Sequence, residues 1–93
     1  MAIVCNELLG RPLLKIYQDT EAFNVSIDTM LLADFVTLNK RVKRICDLCS
    51  GNAPIPLYLT LRTDASIVGV EVQEESYDLG VRSIKENNLD AKI

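Results

Sequence analysis

The alternation of short apolar segments with helical segments between residues 44 and 93 most constrains the fold of this chain. Short apolar segments bounded by turn-forming residues favour buried strands, and they cover residues 44–48, 67–72 and 91–93. Segments with helical patterning lie between them, at residues 55–62 and 74–87. The order strand, helix, strand, helix, strand predicts a βαβαβ unit with a parallel sheet and right-handed crossovers.

The first 43 residues predict a short strand followed by a helix. Residues 13–18 are compatible with a strand, and Ser26 is typical of a helix N-cap, with Asp28 in the first turn where a negative charge suits the helix dipole. The expected buried face of this helix carries apolar residues at helical spacing: Ile27, Met30, Leu31, Phe35 and Leu38. For the helix at residues 74–87, the expected inner face is Tyr77, Val81 and Ile84.

Length and composition indicate one ordinary globular domain at most. The chain has 93 residues, 48% of them hydrophobic and 25% charged, which argues against disorder. A doubly wound sheet needs more strands on the other side of the first strand of the unit, and the pattern predicts none there. We therefore expect the N-terminal half of a Rossmann-like sheet, with an extension at residues 1–43 and the first βαβαβ unit at residues 44–93. An unpaired sheet edge in such a fragment predicts self-association.

The same composition excludes several classes of protein. No apolar run reaches the roughly 18 residues of a membrane span. Glu7 and Arg11 interrupt the only candidate for a signal peptide, and the three cysteines are an odd number, so we expect reduced thiols and a cytoplasmic location. The absence of histidine removes the commonest general base and metal ligand from this segment.

The loop after the first strand of the unit carries the most informative chemistry. Asp47 ends that strand, and small residues follow at every second position, namely Cys49, Gly51 and Ala53. Small residues let the backbone approach a ligand closely. Glu71 ends the next strand, 20 residues after Gly51, where a carboxylate can accept both hydroxyls of a ribose.

The charge of this loop favours one class of nucleoside ligand. A dinucleotide site would need a Gly-x-Gly-x-x-Gly pattern, so that a diphosphate can lie at the helix start, and that pattern is absent. Asp47 would repel a diphosphate but could pair with an ammonium group. S-adenosylmethionine carries an ammonium, a sulfonium and no phosphate, so electrostatics favour it over a dinucleotide.

Two motifs carry a resemblance to a known family. Asp47-Leu-Cys-Ser-Gly-Asn-Ala resembles the Asp-x-Gly-x-Gly-x-Gly loop of class I S-adenosylmethionine-dependent methyltransferases, and Gly69-Val-Glu-Val-Gln resembles their acidic second-strand motif. Upstream, Phe23-Asn-Val-Ser-Ile-Asp-Thr-Met-Leu-Leu-Ala is similar to a segment of the tRNA adenine-N6 methyltransferases that act on valine tRNA, within the methyltransferase small domain superfamily. Ser83-Ile-Lys-Glu-Asn-Asn-Leu also suits that group.

The resemblance implies roles for residues at matching positions. Asp47 would lie near the methionine ammonium, Glu71 would hold the ribose and Val72 would lie beside the adenine. The loop would contribute its small and polar residues, which are Cys49, Gly51, Asn52 and Ala53. Ser26 and Asp28 belong to the segment that in this family helps to close the cofactor pocket.

The sequence departs from the family pattern at two loop positions and in one absent motif. Cys49 and Ala53 replace glycines; we expect the first change to be mild and the second to be serious if the backbone there has a positive φ. The Asn-Pro-Pro-Tyr motif, which would hold the target amine, does not occur. The resemblance thus implies the cofactor-binding part of an enzyme that methylates N6 of adenine in tRNA, inactive alone. A non-catalytic binding or interaction module remains the alternative.

Two further features have less specific interpretations. Cys46-Asp-Leu-Cys49 is formally a Cys-x-x-Cys motif, but a strand position and a neighbouring carboxylate oppose thiolate formation, and three cysteines without histidine leave a zinc site incomplete. The basic run at residues 39–44 either contacts tRNA phosphates or is a solvated connection.

Overall fold

The computed structural model describes residues 2–22 and 25–93. Their elements follow in chain order: β1 (Ile3–Leu8), β2 (Arg11–Asp19), α1 (Ile27–Phe35), β3 (Arg44–Leu48), α2 (Pro54–Leu59), β4 (Ser66–Val70) and α3 (Glu74–Glu86). These strands form two sheets, an antiparallel pair of β1 with β2 and a parallel pair of β3 with β4. None of the helices in this part of the chain is long and apolar enough to span a membrane.

The N-terminal extension contains a β-hairpin rather than a single strand. The strand predicted at residues 13–18 lies within β2, and β1 pairs with it from Ile3 opposite Asp19 onward. Gly10 has a φ of 73°, which lets the chain reverse between the strands. The sequence did not predict β1 because Asn6 and Glu7 interrupt its apolar pattern, and both side chains are exposed.

Helix α1 begins where predicted but buries a narrower face than predicted. The Ser26 hydroxyl accepts a hydrogen bond from the Thr29 amide, which confirms the N-cap. Met30 and Ala33 are its buried residues, whereas the predicted core residues Ile27, Leu31 and Phe35 are exposed, the last by 85%. The prediction was wrong for those three because α2 is the main neighbour of this short helix and covers only one stripe of it. Leu38, also predicted for that face, lies beyond the helix and is partly buried.

The parallel pair matches the predicted strands closely. Strands β3 and β4 run in register, with Asp47 opposite Gly69, so both strands end at one edge of the pair. The helices that follow each strand are present, although α2 ends at Leu59, before the predicted residue 62. The arrangement positions the residues after β3 next to those after β4.

The third strand predicted at residues 91–93 is not formed, so the βαβαβ order is not completed. The Ile67 amide donates to the Lys92 carbonyl at 2.9 Å, a single contact on the edge of β4 that faces away from β3. The amides of Lys92 and Ile93 instead bond back to the Leu89 carbonyl, and this local turn uses the groups that a strand would have offered. The described residues therefore form a βαβα unit behind a hairpin and a helix.

One hydrophobic core joins the N-terminal extension to the parallel unit. Its fully buried members include Leu8 and Ile16 from the hairpin, Leu57 and Leu59 from α2, and Ile67 from β4. Burial of each such side chain contributes about 1.5–3 kcal/mol before the entropy of folding is counted. The extension is thus an integral layer of the fold.

Helix α3 covers the free edge of β2 with polar side chains. The Ser83 hydroxyl accepts from the Tyr17 amide at 2.8 Å, and the Asn87 side chain bonds to both the amide and the carbonyl of Lys15. These contacts satisfy backbone groups that an edge strand leaves unpaired. The predicted inner face of this helix is confirmed at Ile84, which packs against the core, and Val81 is partly buried. It is wrong at Tyr77, which is 52% exposed, and the buried residues of the helix are Gly80 and Ser83.

Strand β3 pairs with β4 on one side, and its opposite side has no partner strand within residues 2–22 and 25–93. Leu48, at the end of this strand, is 72% exposed. Self-association through this edge remains a prediction.

Candidate functional site

Asp47 and Glu71 line one cleft, at the edge where β3 and β4 end. The cleft has a volume of about 340 Å³, within the size range of small-molecule sites. Its described lining comes from the residues after β3 and β4, from the start of α2 and α3, and from the end of β2 and the start of α1. The ends of the two parallel strands therefore meet the hairpin across a shared opening.

The bend after β3 holds three alternate residues in the left-handed region. Cys49, Gly51 and Ala53 have φ values of 61°, 59° and 70°. The Ser50 amide between them donates to the Val70 carbonyl at 2.9 Å, which extends the pairing with β4. A left-handed conformation costs a residue with a side chain roughly 1–2 kcal/mol. The expectation that Cys49 is a mild replacement for glycine is therefore wrong, because its positive φ makes it as strained as Ala53.

Glu71 bridges the end of β4 to this bend. One carboxylate oxygen accepts from the Gly51 amide at 2.8 Å, and the other accepts from the Gln73 amide at 2.8 Å. These two bonds, that from Gln73 first, lower the pKa of Glu71 below its ordinary value. Each oxygen retains a second lone pair. Glu71 is thus a charged group with acceptor capacity to spare.

Asp47 has no such partners. Its carboxyl group is half-buried, and burial raises its pKa above the ordinary value. Among residues 2–22 and 25–93, no side chain or amide forms a hydrogen bond or ion pair with it. A partly desolvated carboxylate without a partner is costly, and a ligand that brings a positive charge would offset that cost.

Asp19 is a third carboxylate in the cleft, and it was not among the predicted site residues. One of its oxygens accepts from the amides of Glu21 and Ala2, and the bond from Glu21 is the main cause of its lowered pKa. The available signal was its position directly after the predicted strand at residues 13–18. The described lining contains no lysine or arginine, so the three carboxylates give the cleft a negative potential.

The structure brings together five of the nine residues that the resemblance assigned to a cofactor. The five that line the cleft are Asp47, Cys49, Gly51, Asn52 and Glu71. The other four lie outside the described lining: Ser26, Asp28, Ala53 and Val72.

Local geometry explains each of these four placements. Ser26 uses its hydroxyl to cap α1, and Asp28 is exposed on that helix, while their neighbours Val25 and Thr29 line the cleft. Ala53 is buried beneath the bend, and Val72 is 95% exposed because the chain turns Glu71 inward. Of the upstream segment that carried the finer resemblance, Phe23 and Asn24 lie outside the described residues.

Close packing fixes the bend from two sides. The Asn52 side chain donates to the Tyr17 carbonyl at 2.8 Å, which ties the bend to β2. A Cβ atom at Gly69 would lie 2.8 Å from the Ser50 hydroxyl oxygen, so a side chain at this position in β4 would force Ser50 to shift. The cleft wall is consequently held by both sheets.

No group of three or more potential metal ligands occurs in the described ranges. The three cysteines are exposed free thiols.

These features define the class of fold: a small mixed α/β domain consistent with part of a Rossmann-like fold. It is similar to the crystal structure of Pyrococcus horikoshii TYW2 in complex with MeSAdo, with a TM-score of 0.76 and 15% sequence identity. It is also similar to a second Pyrococcus horikoshii chain, provisionally named a transferase, with a TM-score of 0.75 and 15% identity. Both alignments cover 98% of this chain but 34% of the other, so the chain spans about a third of the length of these proteins. No protein-family model and no curated protein sequence matches the chain.

Proposed function

We propose that this chain binds S-adenosylmethionine in the cleft between β3, β4 and the hairpin. The observation that carries the proposal is the unpartnered, half-buried carboxylate of Asp47 in a cleft whose described lining contains two further carboxylates and no basic side chain. A dinucleotide or a phosphorylated substrate would be repelled there, whereas a cationic nucleoside would be attracted. The fold neighbour that contains MeSAdo supports a nucleoside as the ligand.

The residues of the cleft suit the parts of this ligand. Asp47 would accept the ammonium group of the methionine moiety, and Glu71 would accept the ribose hydroxyls with its spare lone pairs. The bend at Gly51 presents backbone without a side chain to the ligand. Ile55 and Leu79 give the cleft an apolar side for the adenine ring.

The reaction that follows from this ligand is methyl transfer. Bound S-adenosylmethionine supplies an electrophilic methyl group, and catalysis then depends on holding an acceptor amine in line with it. The chain contributes the pocket that orients the cofactor. The 93 residues contain no Asn-Pro-Pro-Tyr motif, so the proposal assigns the positioning of the amine to residues that this chain does not supply.

For the acceptor we propose N6 of adenine in tRNA. The support is the resemblance of residues 23–33 and 83–89 to the tRNA adenine-N6 methyltransferases. The unit alone is expected to bind cofactor without transferring the methyl group. Three exposed free cysteines suit a reducing, cytoplasmic compartment for the protein.

A nuclear magnetic resonance titration tests where the cofactor binds. Addition of S-adenosylmethionine to the isotopically labelled chain should shift the amide signals of Gly51, Asn52 and Gln73, while those of Leu13 and Arg44 stay in place. The same titration with NAD should shift none of them. Shifts confined to other regions, or no shifts at millimolar ligand, would favour the non-catalytic interaction module instead.

A methyl-transfer assay tests the acceptor. The chain would be incubated with tRNA and isotopically labelled S-adenosylmethionine, alone and fused to a methyltransferase segment that contains Asn-Pro-Pro-Tyr. N6-methyladenosine from the fusion alone is the expected product. Another methylated nucleoside would overturn the adenine assignment, and label transferred by the chain alone would overturn its expected inactivity.

A further inference from the structure

We propose that a basic groove at the opposite edge of the parallel pair binds the phosphodiester backbone of RNA, an inference that extends the proposed function. The groove has a volume of about 650 Å³ and lies where β3 and β4 begin. Lys40 and Lys43 line it from the segment before β3, and Arg62 and Ser66 line it from the segment around the start of β4. The candidate cofactor cleft lies where the same two strands end.

The groove carries positive charge that the described part of the chain does not neutralise. Lys40 and Lys43 are exposed, as are the adjacent Arg41 and Arg44, and none of these four side chains forms a hydrogen bond or ion pair with another described residue. Such unpaired cations attract an anion more strongly than cations that are already paired. The basic run is therefore available to an external partner.

Two further charged residues, Arg62 and Asp64, belong to the described lining of the groove. Arg62 donates from one guanidinium nitrogen to the carbonyls of Ala33 and Val36, which fixes its charge in the wall beside the end of α1. Asp64, the carboxylate of the lining, lies 3.9 Å from the Lys92 ammonium. The described lining thus contains three cations, Lys40, Lys43 and Arg62, and one carboxylate, so the field of the groove is positive.

The distribution of charge over the molecule favours an extended anionic ligand that lies across it in one orientation. The whole chain has a net charge of −3, so a polyanion is attracted only locally, at the basic groove, and is repelled by the carboxylates of the cleft. Strand β3 has five residues, which span about 16 Å, so the groove and the cleft are separated by roughly this length of the parallel pair. An RNA strand held at the groove would therefore extend along the pair towards the cleft, where a base could enter while its phosphates stay outside.

Fluorescence anisotropy with a labelled tRNA transcript tests this surface through a matched pair of variants. The double variant Lys40→Ala/Lys43→Ala should bind roughly 10-fold more weakly at low salt than the unchanged chain, and its log–log salt slope should fall by about 1.5, because two phosphate contacts are lost. Lys85→Ala removes an exposed charge from α3 and should leave both quantities nearly unchanged.

Two comparisons make the result decisive. Equal affinity and slope for the double variant and the unchanged chain would overturn the inference, and so would tighter binding to anionic phospholipid vesicles or to inorganic phosphate than to RNA. Calorimetry of the double variant with S-adenosylmethionine separates the two proposals. If the unchanged chain binds S-adenosylmethionine but not RNA, the groove proposal alone is rejected. If the unchanged chain binds RNA but not S-adenosylmethionine, the cleft proposal alone is rejected.

Discussion

The Gly51 amide donates a hydrogen bond of 2.8 Å to the carboxylate of Glu71, which joins the bend after β3 to the end of β4. The other oxygen of this carboxylate holds the Gln73 amide just before α3. The residue to which the resemblance assigns the ribose is therefore also a structural brace of the loop. Its substitution should change stability as well as ligand binding.

Replacement of Glu71 by glutamine should remove the acid sensitivity that this brace confers. Its pKa is lower in the folded state than in the unfolded state, so its stabilising effect is present above about pH 4.5, the ordinary pKa, and is lost as pH falls through the lowered value. The variant should be less stable at pH 7, with a difference from the unchanged chain that shrinks towards pH 3. Urea unfolding at several pH values measures this, and an equal loss for the exposed Glu75→Gln would contradict it.

Replacement of Asp47 by asparagine should have the opposite effect on stability. Burial raises the pKa of Asp47 in the folded state, so its ionised form destabilises the fold once pH rises above the ordinary value of about 3.8. Asp47→Asn should therefore be more stable than the unchanged chain at pH 7 and about equally stable near pH 3. Thermal melts across this range test the sign, and a lower melting temperature at pH 7 would contradict the account.

Glycine at position 49 should stabilise the bend. Cys49 is exposed and has a φ of 61°, so Cys49→Gly relieves strain and removes no buried side chain; we expect a gain of about 1 kcal/mol in the free energy of unfolding. Ala53→Gly should gain less, because its buried methyl group is lost at about 0.8 kcal/mol. The matched control is Cys46→Gly in β3, an exposed cysteine without a positive φ, which should lose stability. Equal effects at positions 46 and 49 would show that backbone strain is not the cause.

A methyl group at Gly69 should disrupt the contact between β4 and the bend. The added Cβ would lie 2.8 Å from the Ser50 hydroxyl oxygen and 3.0 Å from the Ser50 Cβ, so Gly69→Ala should cost about 1–3 kcal/mol. The double variant Gly69→Ala/Ser50→Gly should recover part of that loss, a coupling that denaturant unfolding can measure. Gly80→Ala serves as the control, since its nearest contacts are 3.4 Å and alanine favours the helix. Additive losses at positions 50 and 69 would refute the steric explanation.

The parts of the fold that depend on local pattern could be predicted from the sequence. Strand β3 begins and ends at the predicted residues, and Ser26 caps α1 as expected, because these features are set by short apolar runs and by a hydroxyl next to a helix. The hairpin partner β1 and the exposed face of α1 could not be predicted, since they depend on which distant elements pack there. The missing third strand is a similar case, because a turn through Leu89 competes for its amides.

The candidate site, like the fold, could be predicted from the sequence only in part. The pairing of Asp47 with Glu71 in one cleft followed from their positions at the ends of parallel strands. Asp19 was missed because its place in the cleft depends on how the hairpin docks, through bonds such as that from Asn52 to the Tyr17 carbonyl. The positive φ of Cys49 was missed because a sequence motif records the side chain at a position and not its backbone angle.

Isothermal titration calorimetry with S-adenosylmethionine, on the unchanged chain, Asp47→Asn and Asp64→Asn, tests the central claim most directly. Asp64 is an exposed carboxylate of the basic groove, so its replacement controls for the loss of one negative charge. We predict saturable binding to the unchanged chain and to Asp64→Asn, and at least roughly 10-fold weaker binding to a fully folded Asp47→Asn. An absence of heat from the folded, unchanged chain at millimolar ligand, or equal affinity in all three proteins, would contradict the account.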